Sequence, residues 1–195
     1  MKLLLIVLLA MSSTGILVYN ISNKLLVNKT TKLDKEYNYS EEEPMYIEVP
    51  QVPCETCVSV VSSGEENNLG SPILDVNVYK ESKLISSFVA ISGRAEAQSL
   101  DRNIANNSSP APNGNYTIKK ETVGYEKETG GVFLPFEPNF TTQRTDLGAH
   151  IDPSWGINNG ENGTEGCIAF KDLESYNNFT KLIVDNKIFE LNINY

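Results

Sequence analysis

Leu74-Asp75-Val76-Asn77-Val78-Tyr79 is the stretch that decides the fold, because apolar and polar residues alternate along it. An alternation of period two predicts a β-strand with one buried face. Residues 80–83 form a polar turn, and the more apolar residues 84–91 return as a second strand that Ser92-Gly93 ends. The folded part of the chain is therefore expected to begin with a β-hairpin.

Further strand patterns follow the hairpin. Pro112-Asn113-Gly114 is a turn sequence, and Tyr116-Thr117-Ile118 begins another strand after it. Residues 133–140 are apolar, but the two prolines among them predict an edge strand or a loop. Residues 144–151 alternate again, which places four residues on one face: Arg144, Asp146, Gly148 and His150.

A single helix pattern comes late in the chain. Asp172 is a suitable N-cap for a helix with apolar residues near one face: Leu173, Tyr176, Phe179, Leu182 and Ile183. Residues 188–193 predict a closing strand. The whole pattern predicts a mainly β fold with one late α-helix, in a domain of residues 71–195.

The acidic composition excludes one class of partner. The 195 residues carry a formal net charge of -9, and their number favours one domain with extensions. A nucleic-acid-binding surface needs clustered Lys and Arg, which this chain lacks. We therefore expect no nucleic-acid partner.

Residues 1–20 have the composition of an export signal. Lys2 precedes an apolar run over residues 3–11, and small residues follow it. A second short apolar group extends the run over residues 3–19 to the length of a marginal membrane anchor. The lysines that come next disfavour an anchor, so cleavage is slightly preferred over membrane attachment. In both cases the rest of the chain is expected outside the cytoplasm.

Residues 21–70 are predicted to be a tether. They contain the acidic run Glu41-Glu42-Glu43, many Asn and Ser, and one short apolar run at Val58–Val61. Such a composition favours a linker, with at most one short strand.

Cys54 and Cys57 form a C-x-x-C within this tether, a spacing typical of redox pairs and of half a zinc site. The chain has no second C-x-x-C and no second histidine, so the pair lacks the partner motif that usually completes a tetrahedral zinc site. Pro50 and Pro53 precede the pair, and no thioredoxin-like pattern surrounds it. In an oxidising compartment we expect a local disulfide, which leaves Cys167 as the free thiol.

His150 and Cys167 are the residues with the clearest chemistry. His150 is the only histidine, and Cys167 follows it by seventeen residues, within Gly163-Thr164-Glu165-Gly166-Cys167-Ile168. A thiol becomes an effective nucleophile when a base takes its proton, and imidazole suits that task near neutral pH. The pair predicts a cysteine enzyme. The alternative is a buried structural cysteine and a structural histidine.

These residues resemble the catalytic domain of the L,D-transpeptidase family. The hairpin of residues 73–91 is similar to the opening strands of that family, and residues 112–118 are similar to its Pro-x-Gly-x-Tyr-x-Ile segment. Gly148-Ala149-His150, followed by Thr164-Glu165-Gly166-Cys167-Ile168, resembles its histidine and Ser/Thr-x-Gly-Cys signature. The resemblance covers residues 71–195. Two departures indicate a variant branch: the family usually has His at the position of Glu165, and often Arg or Asn at that of Ala169.

The resemblance implies a β-sandwich or barrel and a thioester mechanism on peptidoglycan stem peptides in the periplasm or cell envelope. Cys167 is expected to attack an amide carbonyl, and His150 to carry the proton. Gly166 lets the backbone approach the substrate, and the N–H groups around Gly166 and Cys167 can stabilise the oxyanion. Asp146 or a backbone carbonyl orients the His150 ring. No metal or cofactor is implied.

Four further residues are candidates for substrate contacts. Thr164 either contacts the site or holds its turn, and Arg144 is the nearest cation for the carboxylates of a stem peptide. Glu165 is expected to order the loop of residues 152–163 by accepting backbone N–H bonds, or to pair with Arg144. Trp155 either lines the cleft or anchors that loop.

Three alternatives to the transpeptidase stay open. With water as the acceptor, the same site is an L,D-carboxypeptidase or endopeptidase. A thiol oxidoreductase would use Cys54 and Cys57 instead. A non-catalytic cell-wall binding module would carry a vestigial site, and the departures at Glu165 and Ala169 favour it.

Overall fold

A computed structural model describes residues 53–119, 130–160 and 162–195. Over these ranges the chain forms eight strands, one 3-10 turn at Ala95–Ala97 and a single α-helix. The elements in chain order are β1 (Cys57–Glu66), β2 (Pro72–Lys80), β3 (Lys83–Ser92), β4 (Gly114–Ile118), β5 (Leu134–Pro138), β6 (Gly148–Ile151), β7 (Ile168–Phe170), α1 (Leu173–Asn186) and β8 (Glu190–Asn194). The predicted mainly β fold with one late helix is confirmed.

The eight strands close into a barrel in the order β1-β2-β3-β7-β6-β5-β4-β8. Two pairs of neighbours are parallel, β1 with β8 and β6 with β7, and the other pairs are antiparallel. A parallel pair needs a crossover connection between its strands. In the β6–β7 pair that connection is the stretch between His150 and Cys167, so the fold itself creates the loop beside the candidate site.

The β2–β3 hairpin is present as predicted. Leu74, Val76 and Val78 point into the barrel and are fully buried. Glu81 and Ser82 turn the chain with left-handed φ values of 51° and 61°. Two successive residues of this conformation match the twist of the flanking strands, which explains the tight connection.

The predicted end of the tether at residue 70 is wrong, because β1 is a strand of the barrel. Val58 and Val60 are fully buried and belong to the core. β1 pairs with both β2 and β8, and these pairings close the sheet. The outer half of the strand, residues 62–66, is polar and mostly exposed, which gives it the composition of a linker. Residues 1–20 and the first part of the tether lie outside the described residues.

β5 is an internal strand, whereas its two prolines predicted an edge or a loop. Pro138 lies at the end of the β4 pairing, and Pro135 lies at the end of the β6 pairing. A proline removes only one ladder donor, and at the end of a short pairing that donor is least needed. Leu134 and Phe136, which flank Pro135, both point into the core.

The helix α1 begins where the sequence predicts. The Asp172 side chain accepts a hydrogen bond from the Ser175 N–H at 2.7 Å, and Lys187 ends the helix in a left-handed conformation. Phe179 packs against Phe170 of β7 with ring centroids 4.8 Å apart. Leu173 was expected on the buried face but is 47% exposed, since it lies in the first turn beyond the barrel contact.

Candidate active site

Cys167 and His150 lie on the same outer face of the barrel, on neighbouring parallel strands. Ala149 pairs with Ile168, and both point into the core. The residues that alternate with them, His150 on β6 and Cys167 just before β7, therefore point outward. Parallel strands lie about 4.8 Å apart and rise about 3.3 Å per residue, which puts the two Cα atoms roughly 8 Å apart. That spacing lets the two side chains meet.

The His150 ring is held by a backbone carbonyl rather than by Asp146. Its Nδ1 lies 2.6 Å from the Ile151 carbonyl oxygen. A carbonyl only accepts, so Nδ1 carries the proton and Nε2 keeps its lone pair in the neutral ring. Phe133 stacks on the ring at a centroid distance of 6.4 Å. Gly148 makes this possible, because a Cβ there would overlap with the Phe133 ring.

Cys167 is a half-buried thiol with two backbone partners. Its sulfur lies 3.8 Å from the Asp146 carbonyl oxygen, and it accepts from the Gly148 N–H. Burial raises the pKa of Cys167 to about 11, and the charges of Asp146 and Glu165 add to that rise. The Gly148 N–H and the Arg144 charge act to lower the same pKa. The resting thiol is therefore neutral at pH 7, and attack requires a base to take its proton.

Thr164 is buried and holds the turn that carries Cys167. Its hydroxyl accepts from the N–H groups of Gly93 at 2.8 Å and Gly166 at 3.1 Å. It also donates to the Cys167 carbonyl at 2.9 Å. The three bonds fasten the nucleophile turn, Thr164-Glu165-Gly166-Cys167, to the end of β3. Of the two predicted roles, the geometry favours holding the turn over contacting substrate.

Replacing Thr164 by valine is expected to destabilise the protein by roughly 2–5 kcal/mol, because two N–H groups and one carbonyl lose their partner. Thr164→Ser keeps the hydroxyl and serves as the matched control, with a much smaller effect. Urea unfolding followed by far-ultraviolet circular dichroism measures both variants. Equal stability of Thr164→Val and wild type would show that the hydroxyl does not hold the turn.

Among the described residues, the Glu165 side chain makes neither of its predicted contacts, to the loop of residues 152–163 or to Arg144. The residue is exposed, and it meets Arg144 through its backbone carbonyl, which accepts from the guanidinium. The loop of residues 152–163, here named the crossover loop, is ordered instead by Asp152. Its buried carboxylate accepts from the Ser154 N–H at 2.8 Å and the Gly163 N–H at 3.4 Å. Burial raises the pKa of Asp152, and those N–H groups and His150 oppose the rise.

The crossover loop joins two strands that carry the outward row of residues beside His150. Ile91 and Ala169 share the outward row with His150, yet both are fully buried. The loop is joined to the turn after β1 by a hydrogen bond of 3.3 Å from Asn68 to the Gly156 carbonyl. Trp155 is half-buried within this loop. Its position fits an anchor of the loop, and its predicted substrate contact stays a prediction.

Arg144 is almost completely buried, at 5% exposure, and its guanidinium donates to backbone carbonyls and neutral side chains. Such a group is unavailable to the carboxylates of a stem peptide, so the geometry favours a supporting role over the predicted substrate contact. Gly166 serves the same arrangement. A Cβ on Gly166 would overlap with the Arg144 guanidinium, and its φ of +106° suits glycine alone.

Cys54 and Cys57 are joined in a disulfide, with Cα atoms 6.0 Å apart. Cys57 pairs with Tyr79, close to the β2–β3 turn. Cys167 precedes Ile168, which pairs with Ser92 at the other end of β3. The disulfide and the free thiol therefore lie at opposite ends of the hairpin and do not form one redox site.

Phe133 and Asp152 belong to the site, although sequence reasoning did not select them. Phe133 stacks on His150, and Asp152 fastens both ends of the crossover loop. Asp152-Pro153-Ser154 is a turn sequence in which the Asp side chain often accepts a nearby N–H, and this signal was available. The stacking of Phe133 depends on the β5–β6 register, which has no local signal.

Neither a metal centre nor a membrane helix is found in the ranges that the structure covers. Over residues 53–119, 130–160 and 162–195, no three His, Cys, Asp or Glu side chains are grouped as metal ligands. No helix in the same ranges is long and apolar enough to cross a membrane. The possible anchor at residues 3–19 lies outside them.

Comparison with known proteins gives no match. No family model, no curated protein and no solved structure matches this chain. The likeness to L,D-transpeptidases therefore rests on the three similar segments within residues 71–195. The chemistry of Cys167, His150 and their surroundings is the basis for a function.

Proposed function

We propose that this protein is an exported cysteine acyltransferase that acts on peptidoglycan stem peptides through a thioester on Cys167. It would work in the periplasm or cell envelope, with residues 1–20 as its export signal or membrane anchor. The proposal combines the resemblance of residues 71–195 to L,D-transpeptidases with the chemistry of the outer face of β6 and β7.

One observation carries the proposal, the hydrogen bond of 2.6 Å between His150 Nδ1 and the Ile151 carbonyl. It fixes the tautomer in which Nε2 accepts a proton, on the face that Cys167 shares. The same tautomer is compatible with a structural histidine, and it supports catalysis here because the outward positions of β6 and β7 bring the free thiol to the same face. The arrangement is a nucleophile, a base and a group that orients the base.

The proposed reaction starts from the neutral thiol. His150 Nε2 takes the Cys167 proton as the sulfur attacks the carbonyl carbon of the third residue of the stem. The C–N bond then breaks, His150 returns the proton to the leaving amine, and the acyl group stays on sulfur as a thioester. An amine of a second stem attacks the thioester and releases the thiol.

The oxyanion of the tetrahedral intermediate needs N–H donors. The Gly166 N–H is already donated to Thr164 at 3.1 Å, so it is a poor candidate for the role predicted from the sequence. The backbone N–H of Cys167 itself is the nearest remaining candidate. One such donor is typically worth about 3 kcal/mol in the transition state.

Two other functions are the alternatives. Water in place of the amine acceptor makes the same thioester chemistry an L,D-carboxypeptidase or endopeptidase. A non-catalytic cell-wall binding module is favoured by one observation, the burial that raises the pKa of Cys167 to about 11 and leaves the thiol unreactive without a base.

Incubation of the protein with purified tetrapeptide muropeptides, followed by mass spectrometry, tests the proposal. A transpeptidase gives cross-linked dimers and a covalent acyl-enzyme adduct on the peptide that contains Cys167. A hydrolase gives shortened stems without dimers. A binding module gives neither product nor adduct, which would refute an acyl-transfer function.

A further inference from the structure

Arg144 is a buried cation whose hydrogen bonds within the described ranges all end on neutral oxygen atoms. Its guanidinium donates to the Ser109 hydroxyl at 2.9 Å and, over longer distances, to the Asn107 side chain. It also donates to backbone carbonyls in two separate segments of the chain: Arg102, Ile104 and Ser109 on one side, and Glu165 on the other. Arg144 thereby joins the 102–109 segment to the nucleophile turn.

A buried charge is normally paired, because taking it out of water is costly. The described part of the chain places no Asp or Glu oxygen within 4.0 Å of Arg144. Carbonyls satisfy the N–H donors, but they do not neutralise the positive charge. A neutral side chain would join the two segments at a smaller desolvation cost. The positive charge of Arg144 is therefore expected to have a role of its own.

The charge lies against the residue that precedes the nucleophile. Gly166 has no Cβ, and the guanidinium occupies the space that a Cβ would need. Arg144 is also the side chain whose charge acts to lower the pKa of Cys167, while Asp146 and Glu165 act to raise it. The positive charge therefore lies beside the residue before Cys167, and it would favour a negative charge that develops on the sulfur during the proposed attack.

We infer that Arg144 is a positioning residue that fixes the nucleophile turn and supplies the positive charge that opposes the anion formed at Cys167. This inference rests on the proposed function, and it deepens the assignment of the same site. The guanidinium needs no contact with substrate, because it acts through the Glu165 carbonyl and through the electric field at sulfur. Gly166 is then required for the approach of Arg144 rather than for that of the substrate.

Two substitutions distinguish the positive charge of Arg144 from the hydrogen bonds that its guanidinium donates to both segments. Arg144→Gln removes the charge, whereas Arg144→Lys keeps it but cannot bridge two segments. Lys171→Gln, which removes an exposed charge just after β7, is the matched control. Alkylation of Cys167 by iodoacetamide across pH reports the charge without any stem peptide. The ratio kcat/KM on the muropeptide reports the position of the turn, and thermal unfolding reports the fold.

Arg144→Gln is expected to slow alkylation near pH 8 by roughly tenfold, because an opposite charge near an ionising group is lost. Arg144→Lys should alkylate within about threefold of wild type, yet lose tenfold or more in kcat/KM because the turn is no longer bridged. The control should match wild type in both measurements. A folded Arg144→Gln protein with an unchanged alkylation profile would overturn the inference.

If Arg144→Gln does not fold, Arg144→Lys decides alone, and a wild-type kcat/KM in that variant overturns the positioning role. Failure of the proposed function looks different. In that case wild type turns over no muropeptide, while the alkylation profiles of the variants still differ.

Discussion

Replacing Cys167 by alanine is expected to abolish turnover of muropeptides, with a loss of about 10⁴-fold or more. In the proposed reaction the acyl group is attached to the sulfur of Cys167, and the other two cysteines are held in a disulfide at the far end of β3. The fold should persist, because the sulfur makes only weak contacts, to the Asp146 carbonyl and the Gly148 N–H. Mass spectrometry of the products and thermal unfolding measure the two effects.

The double variant Cys54→Ser/Cys57→Ser is the matched control for this experiment. It removes the other two sulfur atoms and should turn over substrate at a rate close to that of wild type. Activity of Cys167→Ala within a few-fold of wild type would refute the assignment of the nucleophile. Loss of activity in the double variant alone would point to the oxidoreductase alternative.

The parts of the fold that the sequence predicts are those with a local physical cause. The alternation over Leu74–Tyr79 is enough for β2, since side chains of a strand alternate between two faces whatever their partner. Asp172 is enough for the start of α1, because an N-cap accepts an N–H only three residues away. In both cases the cause and the effect lie within one short stretch of sequence.

The sequence indicates at most a short strand at Val58–Val61 and does not predict that β1 belongs to the barrel, because the partners of β1 are distant in the chain. Half of the strand is polar, and its parallel partner β8 lies about 130 residues later in the chain, as the pairing of Val58 with Leu191 shows. Only the closure of the barrel gives Val58 and Val60 a buried environment. The same holds for β5, whose prolines are tolerated because each falls where a pairing ends.

The candidate site likewise contains some residues that have a local signal in the sequence and others that have none. His150 and Cys167 could be selected from their residue types and spacing, and the register of β6 and β7 places them on one face. Arg144 is predicted from the sequence as a substrate contact, whereas the structure places it among protein acceptors. Its main acceptor, Ser109, is 35 residues away in the chain, and no local pattern distinguishes a buried arginine from a surface one.

His150→Ala is expected to reduce kcat/KM near pH 7 by about 10²- to 10⁴-fold, which is the usual contribution of a general base. This loss is expected because the resting thiol of Cys167 is neutral. With the pKa of Cys167 raised from 9.0 to about 11 by burial, the thiolate fraction at neutral pH is on the order of 10⁻⁴. Without His150, only that fraction can attack, so the residual rate should follow the ionisation of Cys167.

The pH profile separates loss of a base from loss of structure. In His150→Ala, kcat/KM should rise about tenfold per pH unit between pH 7 and 10, because each step increases the thiolate tenfold. The wild-type profile should be shallower over the same range, because His150 takes the proton and the thiol does not have to ionise before it attacks. A variant rate that does not depend on pH would contradict the proton-transfer role. His150→Gln, which keeps a polar side chain of similar size, is the control for packing against Phe133.

The raised pKa of Cys167 also predicts how the stability of the protein depends on pH. The folded protein holds the thiol proton more tightly than the unfolded chain does, so the associated stability is fully present below about pH 9. It is lost as the pH rises through about 11. Thermal unfolding at each pH should therefore show a decline above pH 9 that is steeper in wild type than in Cys167→Ala, in which the buried tyrosines, whose pKa values burial also raises, still contribute. If wild type and Cys167→Ala lose stability in parallel there, the thiol is not buried as the structure describes, and the dependence of catalysis on His150 loses its physical basis.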